Sequence, residues 1–219
     1  MQTGVFIQFL KDNRMPVFTL EDAVKVMYKP RSYASLFLQR GIKNGKFARA
    51  MRGLYYLRER SNEYEIASHV ISPSYISMVS ALSYFGLTTQ IPNKVYVVST
   101  ERHKAIDDVM GFEIVFRHVR PGMMFGYHKE SDGNVFMADP EKAIVDIFYF
   151  HDVNDLDYGV LEKPPRINIR KLTDYAIRSG DSSVIRGVGE MLRATGHRAE
   201  AKRLNARKRH GIIAGKGIR

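Results

Sequence analysis

Three observations predict that this 219-residue chain is α+β, with an N-terminal winged helix-turn-helix, a mixed α/β middle and a helical C-terminal end. Two short amphipathic helical patterns, split by a proline-containing break, run into a basic hairpin. Strand-like runs and helices then alternate, and in the last third the apolar spacing is helical alone.

The elements can be justified in order. Phe6, Phe9 and Leu10 are spaced as one face of a first helix. Leu20, Ala23, Val24 and Met27 follow at i, i+3, i+4 and i+7, the apolar stripe of a 3.6-residue period. Thr19 is placed as the N-cap of this second helix, and Asp22 completes a capping signal that also suits the positive end of the helix dipole. Tyr28-Lys29-Pro30 breaks the pattern, because proline disfavours helical backbone in the residue before it. A third helix is expected from about Arg31 to Arg40, with Ala34, Phe37 and Leu38 inward and Gly41 closing it. Phe47–Met51 and Leu54–Leu57 are β-prone runs around Arg52-Gly53, a turn whose glycine can take positive φ.

A helix placed second in such a pair can enter the major groove of duplex DNA and read bases with its outward face. Ser32, Ser35 and Gln39 fall on that face, with Arg31 at the helix start. Serine bonds several base edges, glutamine pairs bidentately with adenine, and arginine with guanine. Lys29 in the turn, Lys43 and Lys46 before the hairpin, and Arg49 and Arg52 on it are expected at phosphates or in the minor groove. The same module also serves other proteins as a protein-interaction surface.

Charge is distributed to match. Residues 1–60 hold 12 Lys+Arg against 4 Asp+Glu, residues 61–192 hold 13 against 18, and residues 193–219 hold 9 against 1. A mildly acidic centre between two basic ends suits ends that meet a polyanion. No segment approaches the ~20 consecutive apolar residues of a membrane span. The N-terminus lacks the charged start and apolar run of a signal peptide, so a cytoplasmic, non-membrane protein is expected. The absence of cysteine removes disulfides, thiolate metal sites and cysteine nucleophiles together.

A boundary is expected near Glu59–Glu65, giving a DNA-binding domain over 1–60, an α+β domain over 65–195 and a basic tail over 196–219. Ser72-Pro73-Ser74 is read as opening a helix carrying Ile76, Val79, Ala81, Leu82 and Phe85, stopped by Gly86. Strands are expected over 94–99, 112–119, 124–128 and 135–137, with turns at Gly122 and Ser131-Asp132-Gly133. Asp139 and Pro140 are in the preferred order of cap and first helical residue, and Ala143, Ile144, Ile147 and Phe148 supply that helix's buried face. A proline-containing linker over 163–168 leads to helices carrying Leu172, Tyr175 and Ala176, then Val184, Ile185, Val188, Met191 and Leu192, then residues 199–208. The glycine-rich stretch 210–219 is expected to lack fixed structure.

The segments PSYISMVSALSYFGLTTQIPNKVYVVST (73–100), FEIVFRHV (112–119) and VFMADPEKAIVDIFYF (135–150) resemble the AbiEi-type abortive-infection antitoxins, the transcriptional-regulator halves of type IV toxin–antitoxin systems. The matching positions are Ser77, Ala81, Leu82, Gly86, Gln90, Pro92, Ala138, Pro140, Glu141, Lys142 and Ala143. The wing Arg52 to Tyr55 and the short helical end are also similar, so the resemblance spans about residues 5–195. It implies a repressor that binds inverted repeats in its own promoter as double-stranded DNA. It further implies a second domain acting against a nucleotidyltransferase-like toxin without forming a tight complex. The tail from Arg193 onward is an extension that the family pattern does not match. A phosphate-binding arm, an RNA-binding tail and a solubilising terminus all fit its composition.

Catalytic readings are weaker. No H-E-x-x-H occurs, and the seven histidines lack metal-ligand spacing. Asp139, Glu141 and Asp146 could form a carboxylate set for two-metal chemistry. Equally, Asp139 caps the helix, Glu141 suits its dipole and Asp146 lies on a solvated side. Ser179-Gly180-Asp181-Ser182 reads as a turn that starts a helix, and Gly187-Val188-Gly189 sits within a helical pattern without a phosphate-loop context. The expectation is a DNA-binding repressor with no cofactor, no metal and no catalytic residue. An RNA-binding protein using the basic tail and a protein-interaction module remain as alternatives.

Overall fold

The computed structural model describes residues 2–88, 92–130, 135–154, 156–162 and 167–214 and is mixed α+β. Gln90, the turn Ser131-Asp132-Gly133 and most of the linker 163–168 fall outside the described residues. The chain begins with α1 (Thr3–Asp12), β1 (Val17–Thr19), α2 (Leu20–Met27), α3 (Arg31–Lys43), β2 (Phe47–Met51) and β3 (Leu54–Leu57). Thr19 and Asp22 form a reciprocal capping box at the start of α2. The connection to α3 is three residues long. Tyr28 in it takes left-handed backbone (φ 51) and exposes 92% of its surface.

Two expectations in this region are corrected. Phe9 does not join the core; Phe6 and Leu10 are buried, and Phe9 stays 38% exposed. Gly41 does not end α3, which runs on to Lys43, with Gly45 taking the positive φ instead. Gly41 is glycine for a steric reason: a Cβ there would sit 2.2 Å from the ring of Phe47, which is wholly buried beneath the helix.

Strand β1, absent from the sequence reading, pairs antiparallel with β3, which also pairs with β2. Side chains alternate across this small sheet as the pleat requires. Phe18, Phe47, Tyr55 and Leu57 face a helical core with Phe6, Leu10, Ala23, Ala34 and Leu38. Val17, Ala48, Leu54 and Tyr56 face the larger core of the rest of the chain. All four residues of β3 are buried. The hairpin is therefore packed on both faces.

The rest of the chain contains α4 (Glu63–Ser68), β4 (Ser74–Ile76), α5 (Met78–Tyr84), β5 (Lys94–Ser99), β6 (Ile106–Val109), β7 (Phe112–His118), β8 (Tyr127–Lys129) and β9 (Phe136–Ala138). Helices α6 (Pro140–Tyr149), α7 (Ile169–Ser179), α8 (Ser182–Ala194) and α9 (Arg198–Ala214) complete it. The sheet order is β6-β7-β5-β4-β9-β8, with β5 parallel to β7 and β4 parallel to β9. Helix α6 packs on β9, α5, α7 and α8, and α9 covers α7 and α8.

Ser72-Pro73-Ser74 opens a strand rather than a helix, because Tyr75 and Ile76 pair with Val98 and Val97 of β5; helix α5 starts only at Met78. Strand β6 was not foreseen, since its apolar residues Ile106 and Val109 flank two exposed aspartates. The turn at Ser179 is as expected: Gly180 (φ 62) ends α7, and the Asp181 carboxylate accepts from the amides of Ser183 (2.8 Å) and Val184 (3.2 Å). Helix α9 continues to Ala214, inside the stretch expected to be unstructured. Ala201 and Leu204 are buried against the body, so the basic C-terminal segment begins as a docked helix. No helix among the described residues is long and apolar enough to cross a membrane.

Candidate nucleic-acid interface

Helix α3 is sorted by its packing. Ala34, Leu38 and Gly41 are buried, and Phe37 packs edge-on to Phe6 at 5.4 Å. At 100° per residue, the opposite face carries Ser32, Ser35, Gln39 and Lys43. Ser32, Gln39 and Lys43 are exposed and Ser35 is half-buried, at the edge of the stripe. The stripe is about 16 Å long at a rise of ~1.5 Å per residue. Leu36 and Arg40 share this face, and Leu36 is 47% exposed in its middle. Neither residue carries the amide or hydroxyl chemistry that singles out Ser32, Ser35 and Gln39 in the sequence. A helical wheel alone would have found them, and an apolar side chain there suits the methyl group of thymine.

The flanking cations gather at the two ends of this stripe. At one end the amide of Leu20 donates to the carbonyl of Gly53 (3.0 Å), joining the hairpin tip, with Arg52, to the first turn of α2. Glu21 in that turn pairs with Arg31 at the start of α3. This pairing, through the Arg31 hydrogen bond, holds the exposed Glu21 carboxyl below the usual glutamate range. Lys43 and Lys46 lie at the other end, where α3 passes into β2. Lys29 is exposed in the turn, and Arg49 Nε donates to the Met51 carbonyl (3.1 Å), which lays its stem along the bulged edge of β2. The side chains of Lys29, Ser32, Gln39, Lys43, Lys46 and Arg52 make no hydrogen bond or ion pair among the described residues. The surface thus presents free donors and positive charge along one helix, with Arg31 alone already engaged by an acid.

The carboxylates of α6 have different roles from those expected. Asp146 is not on a solvated side; it is wholly buried, as is Lys142 one turn earlier, and the two are ion-paired. Tyr75 (3.0 Å) and Ser77 (2.7 Å) both donate to the second oxygen of Asp146. The Lys142 ammonium lies 4.7 Å from the centre of the Phe125 ring and 5.4 Å from that of Tyr75. Burial pushes the Asp146 carboxyl up and the Lys142 ammonium down, against their mutual attraction. Sequence spacing cannot show this, because Tyr75, Ser77 and Phe125, which enclose the pair, lie on elements distant from α6 in sequence.

Asp139 makes no side-chain cap at the start of α6. Its carboxylate is taken by Tyr175 (2.7 Å), His128 (3.0 Å) and Lys171 (3.1 Å). Burial pulls it upward, but the hydrogen bonds from Tyr175 and Lys171 outweigh that and hold it below the usual aspartate range. Burial and the same carboxylate push Tyr175 up to about 12. Glu141 accepts from the Asn168 amide (2.8 Å) and lies 3.3 Å from Lys171. Asp139 and Glu141 thus share Lys171 while Asp146 pairs with Lys142, and no group of three or more His, Asp or Glu among the described residues is placed to hold a metal ion. Ser77, Ala81, Leu82, Ala138, Glu141, Lys142 and Ala143, seven of the positions carrying the family resemblance, are all buried.

No protein-family profile and no curated protein matches the chain.

Proposed function

We propose that the chain is a sequence-specific DNA-binding regulator that represses transcription, with α2 and α3 as a helix-turn-helix and the β2–β3 hairpin as its wing. The observation that carries this reading is the outward stripe of α3, where unengaged Ser32, Gln39 and Lys43 line up with Ser35 and Leu36 between two groups of cations. A recognition helix needs that combination: base-edge donors in the middle and phosphate partners at both ends. The resemblance in the body supports the antitoxin half of a type IV toxin–antitoxin pair, binding inverted repeats in its own promoter without any catalytic step or cofactor. A nucleotidyltransferase-like toxin would then be its functional counterpart, opposed without a tight complex.

The deciding experiment is fluorescence anisotropy on duplex from the region upstream of its own gene, beside a scrambled duplex, over a salt series. Binding at least a thousandfold tighter to its own promoter is expected, the low end for specific regulators. Equal affinity for both duplexes would refute the repressor. If Lys29, Lys43, Lys46, Arg49 and Arg52 each neutralise one phosphate, the salt slope per chain is about −4.5.

Two substitutions divide reading from holding. Gln39→Ala should lose ~1–3 kcal/mol on the cognate site and leave scrambled DNA unaffected; an equal loss on both would remove Gln39 from base recognition. Arg52→Ala should weaken every sequence alike and flatten the salt slope by ~0.9. A slope that does not move would take the hairpin tip off the backbone.

A further inference from the structure

We infer a second binding site, for a ribonucleoside phosphate, at the shared carboxyl end of β5 and β7. The two strands run parallel and in register from Lys94 opposite Glu113 to Ser99 opposite His118, so both chains leave the sheet at the same edge. Their outer neighbours β4 and β6 run antiparallel, so only these two strands deliver their following segments to that edge. An open cavity of about 340 Å³ lies there, lined by the segment after β5, the end of β7 and Phe150 behind α6. That volume falls in the range of small-molecule sites. The cavity on the other side of Asp152, lined by Met78, Leu82 and Leu87, holds only about 20 Å³, room for a single water.

The lining chemistry selects the ligand. Phe116 and His103 set two rings 4.7 Å apart at one wall. Opposite chemistry comes from Arg117, whose guanidinium lies 5.9 Å from the Phe150 ring and 5.5 Å from that of Tyr96. Asp152 accepts from this guanidinium at 3.2 Å, so Arg117 brings a fixed flat surface and little net charge. Its Nε is buried without an acceptor, one of three such polar atoms among the described residues. These planar groups suit a flat heterocycle.

The remaining groups suit what a nucleotide attaches to that ring. Arg102 is exposed, makes no ion pair among the described residues, and supplies the planar fork that phosphate prefers. His118 is exposed at the end of β7 and lines the same cavity. Glu101 argues against a simple anion hole, since its carboxylate repels phosphate. A carboxylate at this place can instead accept from ribose hydroxyls, as an acid does in dinucleotide-binding α/β folds. Heterocycle, ribose and phosphate together match this set of side chains. The site does not depend on the DNA reading, since none of its residues lies on α3 or the hairpin.

The test is calorimetric titration of the full chain with the four ribonucleoside 5′-monophosphates, their 2′-deoxy counterparts, their nucleosides, inorganic phosphate and a short 5′-phosphorylated single-stranded oligoribonucleotide. Saturable binding of at least one monophosphate is expected, with the matching nucleoside and phosphate alone at least tenfold weaker. Arg102→Ala should weaken the monophosphate at least tenfold, Glu101→Gln should erase any preference for ribose over deoxyribose, and Arg52→Ala should change neither. A free monophosphate that binds as well as the oligonucleotide identifies a soluble nucleotide as the source, and a tighter oligonucleotide identifies an RNA end; either supports the site. No saturable binding by any of these probes at millimolar concentration overturns it. Binding that Arg102→Ala leaves intact also overturns it, because the ligand would then lie elsewhere. Both exposed substitutions should leave the thermal unfolding midpoint unchanged, which separates lost binding from lost folding.

Discussion

Lys142→Met is expected to cost ~3–5 kcal/mol of stability in urea unfolding at neutral pH, the range for removing one member of a buried ion pair. The loss arises at Asp146. With the ammonium gone, a wholly buried carboxylate keeps only Tyr75 and Ser77 as donors. Its burial already pushes the carboxyl up, and without Lys142 it rises further. The sign of the pH dependence follows. A carboxyl with a raised folded-state pKa favours the fold below the unfolded value of ~3.9 and loses that contribution as pH climbs through the folded value. The deficit of the variant should therefore widen as pH rises and narrow toward pH 4. Lys142→Met combined with Asp146→Leu should recover only part of the loss, because it removes the unpaired buried charge but leaves the Tyr75 and Ser77 hydroxyls without their acceptor. A single variant as stable as the parent would mean that the pair contributes nothing to the core.

Phe47→Ala should be nearly as severe, at ~3–5 kcal/mol for deleting a buried phenylalanine. Phe47 is wholly buried, with Phe6 and Phe18 edge-on at 5.8 and 5.7 Å and Gly41 pressed against its ring. Little nearby can collapse into the space, since the aromatic neighbours are held by two different helices and a strand. The loss should not stay local. The sheet that carries Phe47 presents its other face to the main core through Val17, Ala48, Leu54 and Tyr56. Far-ultraviolet circular dichroism and tyrosine fluorescence should accordingly report one shared transition at a lower midpoint. Two separated transitions would show that the N-terminal helices melt independently of the body.

What the sequence discloses divides along the same physical line. The capping box at Thr19, the helices with a single apolar stripe and the hairpin around Gly53 are local, and periodicity reveals them with ends off by up to three residues, as at Lys43 of α3. Strands β1 and β6 are three and four residues long, too short to carry an alternation. Tyr75 and Ile76 read as helix because their partners on β5 lie over twenty residues away. The hardest residues were Asp139, Glu141, Lys142 and Asp146. Charged positions at helical spacing look solvated until what covers them is known: Tyr75, Ser77 and Phe125 enclose Lys142 and Asp146, and Lys171 and Tyr175 of α7 take Asp139 and Glu141. The candidate interface was more legible, since exposure on a short amphipathic helix follows from its buried side. Leu36 escaped because it is apolar, and Arg31 was credited with a freedom that Glu21 denies it.

The doubly packed hairpin has one consequence for any assembly on DNA. A reading helix hung on a tether could swivel to follow half-sites at various spacings. In this chain α3 rests on a sheet whose underside is the body's own core, so helix and body turn as one piece. Two copies joined through their bodies would hold their α3 helices at a single separation and a single angle. Each base pair inserted between half-sites rotates one of them by roughly 34° around the duplex. Such a pair would measure the spacer of its operator like a caliper, and a half-turn insertion would abolish joint binding while leaving each half-site intact.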